Sequence, residues 1–373
     1  MSDTKTPPLS PGPNSPFLWV VCQPGAEKAL KGELAREHRD LRFAFSRPGF
    51  VTFRSPTPLD IDFELSSVFA RAYGLSHGRF TGVAGAEGIS WDTLVSDVSR
   101  WANESGFPLH GHLFERPQFV NGEEPLSYVP GAWLGEARAA FEKGGWTLDA
   151  GPTKHGQIVV DLILVEDGEI WLGAHRQLPP HTAFPGGVIP VTLPEGAPSR
   201  AYLKLEEAIR CFDLPLRSGD HAIEVGASPG GAVFALLERG LKVVGIDPAA
   251  MDPGVVKKGG DSFMHLPFSA YDIQPEDLPE KMEWLLLDMN ADPRISLKLT
   301  ERIVAMIGDQ LLGVIFTLKL NRWGLAVEVP EWIEQTRSMG MTRVRALQLS
   351  SNKQEICVTG LTRRGLLRVT GAR

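Results

Sequence analysis

The stretch HAIEVGASPGGAVFALLERG, residues 221–240, decides the fold. HAIEV is a short apolar run, GASPGG is a glycine-rich turn, and AVFALLERG has helical spacing. A strand, a tight turn and a helix in that order let a ligand approach the backbone and present free N–H groups at a helix N-terminus. The dinucleotide fingerprint would be GxGxxG. Here the glycines fall at Gly226, Gly230 and Gly231, a pattern that disfavours a pyrophosphate cofactor. The next apolar run, KVVGIDP, ends in Asp247, 21 residues after Gly226. An acid there can bind the two hydroxyls of an adenosine ribose. The combination suits a nucleoside cofactor without a pyrophosphate, S-adenosylmethionine. A glycine-rich turn can also serve only close strand–helix packing.

Outward from this stretch the pattern repeats. WLLLDMN (284–290), LGVIFTLKL (312–320) and QEICVTGL (354–361) read as further strands, with helix-like segments between several of them. Alternating strands and helices predict a doubly wound, largely parallel α/β domain over residues 199–373. Upstream, FLWVVCQPG, AEKALKGELAREH, GFVTF (49–53) and ELSSVFARAYGLS read as strand, helix, strand, helix: an α+β unit over 17–77. Residues 78–178 form a second unit, with helices in SWDTLVSDVSRWAN and around WLGEARAAFEKGG. Its QIVVDLILVEDGEIWLGAHR is a hairpin turning at Asp167-Gly168. Six prolines in 179–198 read as a linker, and the Pro- and Ser-rich residues 1–16 as a disordered tail.

Composition narrows the function. Net charge is −7, mildly against nucleic acid as a partner. Yet eight Lys/Arg face a single acid, Glu355, after residue 336, either a solvated face or a basic surface. Three scattered cysteines (Cys22, Cys211, Cys357) fit a reducing, cytoplasmic setting. No apolar run is long enough to cross a membrane. His110 and His112 form an HGH pair that no neighbouring Cys or acid cluster supports as a metal site, so none is expected. The nine tryptophans are scattered, which suits core packing better than base stacking.

Four charged residues stand at strand ends or just before the sheet, where open α/β sheets hold their ligands. Asp288 closes WLLLD, Lys319 closes GVIFTLK, Glu355 opens EICVTG, and Lys204 lies in the amphipathic SRAYLKLEEAIRCF. Singly each has an ordinary reading as a surface charge, a helix cap or a snorkelling side chain. Together they resemble the Lys-Asp-Lys-Glu tetrad of FtsJ-type ribose 2′-O-methyltransferases. APSRAYLKLEEA, GASPGG, IDPAAMDP, LLLDMN and FTLKL, in that order, are similar to the RlmM family, and FLWVVCQPGAEKALKGEL is similar to its start. The resemblance implies S-adenosylmethionine-dependent methylation of a cytidine ribose in 23S ribosomal RNA, free or as a large-subunit precursor; a cytoplasmic location is expected from the cysteines, and a monomer is the default expectation. It implies a ferredoxin-like unit over 17–77 and an RNA-binding THUMP domain over 78–178.

The resemblance also assigns roles. Lys319 would be the general base, its pKa lowered by burial and by Lys204 as a second cation. Lys204 would also position the hydroxyl. Asp288 would orient Lys319 and sit near the methyl donor, and Glu355 would hold Lys204 or the ribose. Ala201, Gly226, Ser228, Pro229, Gly230, Gly231, Asp247 and Asp288 would contact the cofactor. Ser269 would take the adenine amine, with Asp272 the weaker substitute. The chain departs from the family at Ala232, where tryptophan is common, and at Ala201, where serine is. Arg363 and Arg364 would lie on an RNA-facing surface. The rival reading is a non-catalytic RNA-binding or ribosome-assembly protein with a vestigial methyltransferase domain; the intact tetrad opposes it.

Overall fold

The protein is described by a computed structural model that covers residues 9, 12–84, 88–117, 131–149 and 151–369. The chain divides into two compact units, Met1–Val188 and Ile189–Arg373.

The first unit is built from β1 (Ser15–Val21), α1 (Glu27–Glu37), β2 (Arg42–Arg47), β3 (Phe50–Leu59), β4 (Ala72–Thr81) and α2 (Trp91–Glu104). It continues with β5 (His110–Glu115), α3 (Ala132–Lys143), β6 (Thr147–Leu148), β7 (Ile158–Glu166) and β8 (Glu169–Arg176). All eight strands join one sheet in the order β2-β3-β1-β4-β8-β7-β5-β6. The expected boundary at 77/78 therefore falls inside β4, and one sheet runs through both of the units read from the sequence. Trp19, Phe50, Phe114 and Ile163, from four different strands, share one core cluster. The tail was expected to reach residue 16, but Ser15 is already in β1 and its hydroxyl donates to the Ser76 carbonyl at 2.6 Å. Residues 1–8, 10 and 11 of that tail lie outside the described residues.

The helix expected in ELSSVFARAYGLS does not form. The carboxylate of Glu33, on α1, accepts from the Val68 N–H at 2.7 Å and from the Phe69 N–H at 3.3 Å. Those amides thereby find partners without a helix. The chain then enters β4, where a Cβ at Gly74 would come within 2.8 Å of the Trp19 ring. The proline-rich segment is also no plain linker. Pro180–Ala183 and Pro185–Gly187 are 3-10 turns with Thr182, Ala183, Gly186 and Gly187 buried in the first unit.

The second unit runs α4 (Ala201–Phe212), β9 (His221–Val225), α5 (Gly231–Glu238), β10 (Lys242–Ile246), α6 (Pro253–Gly259), β11 (Phe263–Leu266) and β12 (Trp284–Leu287). It ends with α7 (Pro293–Ile307), β13 (Gly313–Lys319), α8 (Val329–Ser338), β14 (Arg343–Leu347), β15 (Glu355–Leu361) and α9 (Arg363–Val369). The sheet order is β11-β10-β9-β12-β13-β15-β14, with β15 antiparallel to both neighbours. The doubly wound expectation holds. β12 is buried at all four positions and β13 at six of seven, as strands covered on both faces require. Asp252 and Asp292 start α6 and α7 by accepting the Gly254 and Arg294 N–H groups at 2.7 and 2.9 Å, each followed by a proline at the first helical position. The strand order changes direction between β9 and β12, so the turns after β9 and β12 flank the crevice where such sheets bind ligands.

Candidate active site

At that crevice the structure brings the four predicted residues into one closed ring. Lys204 reaches up from α4, Asp288 follows β12, and Lys319 and Glu355 face each other as a cross-strand pair at the open end of the β13–β15 ladder. Lys319 Nζ donates to Asp288 Oδ1 at 2.7 Å and to Glu355 Oε2 at 2.5 Å. Lys204 Nζ lies 3.2 Å from Asp288 Oδ2 and 2.6 Å from Glu355 Oε1. Each cation touches both anions, and each carboxylate uses one oxygen per lysine. Two positive and two negative groups leave the ring neutral.

This answers why a lysine ends an otherwise apolar strand, but not as the sequence reading expected. Burial alone would lower the Lys319 pKa, yet the Asp288 and Glu355 carboxylates outweigh it and hold the ammonium above its ordinary value. Burial likewise pushes the Asp288 carboxyl up, and the two lysines more than reverse that, holding it below the usual range. The expected lowering of Lys319 by Lys204 is thus corrected. The acids between the two lysines dominate because opposite charges at hydrogen-bond distance outweigh a like charge on the far side. Side-chain exposures of 18–20% for Lys204, Lys319 and Asp288 leave the ring open to a ligand.

Two residues that the sequence reading missed hold the ring in place. Glu207, one turn after Lys204 on α4, accepts from the Ser350 and Ser351 N–H groups, both at 2.8 Å. Asn352, 1% exposed, accepts from Leu349 N–H at 2.9 Å and donates to Glu355 Oε1 at 3.4 Å. The turn before Glu355 is thereby tied to the helix that carries Lys204. Nothing in local spacing marks Glu207, because its partners lie 143 and 144 positions away, whereas the partners of Asn352 are each three positions away and within reach of a local reading.

The glycine turn fits a nucleoside ligand. Gly226 has φ +79°, and a Cβ there would come within 2.5 Å of the Asp288 carbonyl. Gly230 has φ +113° and caps α5 without a side chain, so the N–H groups of the first turn are not consumed by a cap. Gly231 packs against Ser199, bringing the starts of α4 and α5 together beside Ala201. Asp247 follows β10, where Oδ2 accepts from Ser228 N–H at 3.1 Å and Oδ1 from Ala249 N–H at 2.8 Å. Ser228 Oγ donates to the Ala250 carbonyl at 2.8 Å, so the turn that includes Pro229 is braced against the loop after β10. Ser269 and Asp272 share one turn beyond β11, the Asp272 N–H donating to the Ser269 carbonyl at 2.8 Å. A cavity under the ring is lined by Ala201, Lys204, Glu224, Asp288, Thr317 and Asn352, among others. Burial, reinforced by Asp288, keeps the Glu224 carboxyl well above the usual range.

Other expectations fall elsewhere. Arg364 donates to the Asp309 carbonyl, and Arg368 pairs with Asp220 and Glu283 at 2.7 and 3.3 Å. Asp220, Glu283 and Asp309 precede β9, β12 and β13, so these arginines stand at the edge of the sheet opposite the ring. The basic C-terminal stretch is therefore not one surface at the site. Trp19, Trp101, Trp146, Trp284 and Trp332 are buried, as core packing requires. In the first unit His112, but not His110, meets Asp161 and His175 in a buried cluster that spacing did not reveal. His175 Nδ1 is 2.6 Å from Asp161 Oδ2 and Nε2 is 3.0 Å from the Thr182 carbonyl. Both partners are acceptors, so a doubly protonated imidazole satisfies both of them. Among the described residues, no helix is long and apolar enough to cross a membrane.

Residues 197–318 match the FtsJ-like methyltransferase family. The second unit thus carries an FtsJ-like methyltransferase domain, and the chain is a methyltransferase. The match includes Lys204 and Asp288 and ends one residue before Lys319. The resemblance to RlmM-type proteins extends over most of the chain. Ribosomal RNA large subunit methyltransferase M of Haemophilus influenzae (strain PittEE) is 28% identical, the match covering 81% of this chain and 86% of that protein. The protein of the same name from Halorhodospira halophila is also 28% identical, over 91% of this chain and 95% of that one. Among solved structures, TrmN from Thermus thermophilus aligns over 92% of this chain and 99% of its own, at 14% identity and a TM-score of 0.37.

Proposed function

We propose that the protein transfers a methyl group from S-adenosylmethionine to the 2′-hydroxyl of a cytidine in 23S ribosomal RNA, free or within a large-subunit precursor, as a cytoplasmic monomer. The observation that carries this reading is the closed Lys204–Asp288–Lys319–Glu355 ring beside the glycine turn. The names of the relatives supply the RNA. The first unit is read as the RNA-binding part, with ferredoxin-like and THUMP portions on one sheet.

A ribose hydroxyl is almost wholly un-ionised at neutral pH, so a base must take its proton as it attacks. S-adenosylmethionine, when bound, supplies the methyl group on a sulfonium, whose carbon–sulfur bond breaks as the carbon–oxygen bond forms. Gly226, Ser228, Pro229, Gly230, Gly231 and Ala201 would hold its methionine end, Asp247 its ribose and Ser269 its adenine. Lys319 Nζ takes the 2′-hydroxyl proton. Lys204 holds that oxygen, and Asp288 and Glu355 aim both amines. Lys319 rests as an ammonium, so it becomes a base only after its own proton leaves.

The test is methyl transfer from labelled S-adenosylmethionine to rRNA from cells lacking the protein, with wild type and Lys319→Ala side by side. Label in one 2′-O-methylated cytidine, lowered by about 10²–10⁴-fold in the variant while cofactor binding persists, is the expected result. Near-normal turnover of Lys319→Ala would refute the base, and label on no rRNA or ribosomal subunit would refute the substrate.

A further inference from the structure

The ring is not the last feature of its edge. One step outward from the Lys319–Glu355 pair, the Leu320 N–H donates to the Gln354 carbonyl at 2.8 Å. The two chains then part. One continues as Asn321-Arg322-Trp323, and the other arrives through Asn352-Lys353. Arg322, Trp323 and Lys353 therefore all stand within four residues of a ring residue, just beyond the end of the ladder that carries the ring.

Both segments are held in place. Leu325 and Ala326 are buried beneath the 3-10 turn Trp323–Glu328, and Arg294 of α7 grips Glu328 at 2.6 and 3.0 Å. That pair also cancels the acid nearest to Arg322 in sequence. On the other side Asn352 and Glu207 fix the turn before Glu355, as described. Arg322 is exposed and forms no ion pair with any described residue; Lys353 is exposed, Trp323 half-buried and Val327 62% exposed. Two cations and an aromatic face on a rigid rim are what single-stranded RNA binds, by backbone neutralisation and base stacking. The arginines of α9 cannot serve here, being at the opposite edge.

We propose that Arg322, Trp323 and Lys353 form a clamp for the nucleotides flanking the target ribose, Trp323 stacking on a neighbouring base and the two cations holding adjacent phosphates of a single-stranded RNA segment. The clamp rests on the RNA methyltransferase reading of the ring and names how that site selects an unpaired target. Its residues touch substrate but not the transferred group.

The test uses the full chain and an in vitro transcript of 23S rRNA. Wild type, Arg322→Ala/Lys353→Ala, Trp323→Ala and Trp323→Phe are compared by methyl transfer and by filter binding across a salt series. The KM and Kd for RNA rise about tenfold in Trp323→Ala and largely recover in Trp323→Phe. The salt slope of the double variant falls by about 0.7 per cation removed. The Kd for S-adenosylmethionine stays within twofold in all four proteins, which separates a clamp from a damaged fold. Unchanged RNA KM, Kd and salt slope would overturn the clamp while leaving the catalytic reading intact. Should the wild type bind the transcript but not methylate it, the catalytic reading fails alone and the binding comparison still decides the clamp. A wild type that does not bind the transcript overturns both.

Discussion

Each unit of this protein gathers charged side chains out of water, and the two clusters have opposite characters. In the first unit Asp161 is 1% exposed, and His175 beside it 5%. His175 spends both nitrogens on fixed acceptors, one of them the Thr182 carbonyl in the proline-rich segment. His112 Nε2 and Asp161 Oδ1 have no hydrogen-bond partner, but both atoms are buried, and the cluster staples a 3-10 turn to the sheet. In the second unit the Lys204–Asp288–Lys319–Glu355 ring is partly open, stands at the topological switch of the sheet and adjoins a glycine turn. Both arrangements satisfy buried charge with charge. Access and redundancy, not the presence of perturbed groups, separate a site from a staple.

Substitutions should separate the two in their readouts. The largest effect belongs to the ring: Lys319→Met lowers kcat by about 10³-fold, the equivalent of about 4 kcal/mol of barrier, while circular-dichroism melting shifts little because the ring is partly solvated. His175→Leu does the reverse. It strands the Asp161 carboxylate in the core at a cost of about 3–5 kcal/mol to the first unit, read by urea denaturation, with S-adenosylmethionine binding unchanged. A methyltransferase defect in His175→Leu at full folding, with RNA binding intact, would break the comparison.

Changing pH sharpens it. Burial disfavours the His175 imidazolium, but Asp161 overcomes that and holds its pKa above the ordinary value of 6.5. A raised folded-state pKa contributes stability that is fully present below 6.5 and is lost as pH rises through the folded value. Asp161 runs the other way. Burial raises its pKa, His175 more than offsets this, and stability present above 3.8 is lost as pH falls through the depressed value. The first unit should thus be most resistant to urea between pH 3.8 and 6.5 and weaken on either side, and His175→Leu should flatten the alkaline limb. Methyl transfer should behave oppositely above neutrality. Lys319 is held protonated, so kcat/KM should climb about tenfold per pH unit from pH 6 to 8. A flat profile would argue for a positioning role of Lys319 in place of a base.

The smallest effect tests the brace. Glu207→Ala removes two hydrogen bonds to a charged acceptor and lets the Ser350–Ser351 turn drift from α4. A fall in kcat of about tenfold with unchanged S-adenosylmethionine affinity is expected, about 1.4 kcal/mol, the lower end for such bonds. An unchanged kcat would mean that the ring holds its own geometry.

The second unit was legible because its signals are local and mutually consistent. HAIEVGASPGG is a strand and a turn by its own composition, WLLL and GVIFTL are apolar as doubly covered strands must be, and the four ring residues sit at element ends where ligands bind. The first unit was less legible. ELSSVFARAYGLS has helical composition, but a carboxylate 35 residues upstream takes its amides, and a local reading cannot include that partner. The boundary at residue 77 failed for the same reason, because β4 is recruited into one sheet by β1 on one side and β8 on the other.

By itself, then, the chain's order of residues determined the doubly wound class, the glycine turn and the identity of four charged groups, since each depends on neighbours a few positions away. Only the tertiary structure decided that the four close into a neutral ring, that Lys319 rests as an ammonium and that Glu207 and Asn352 brace it. It alone joined His112, Asp161 and His175 and turned the α9 arginines away from the site. Protonation states and partners depend on distance in space, and residues such as Lys204 and Glu355, 151 positions apart, acquire that distance only when the sheet is assembled.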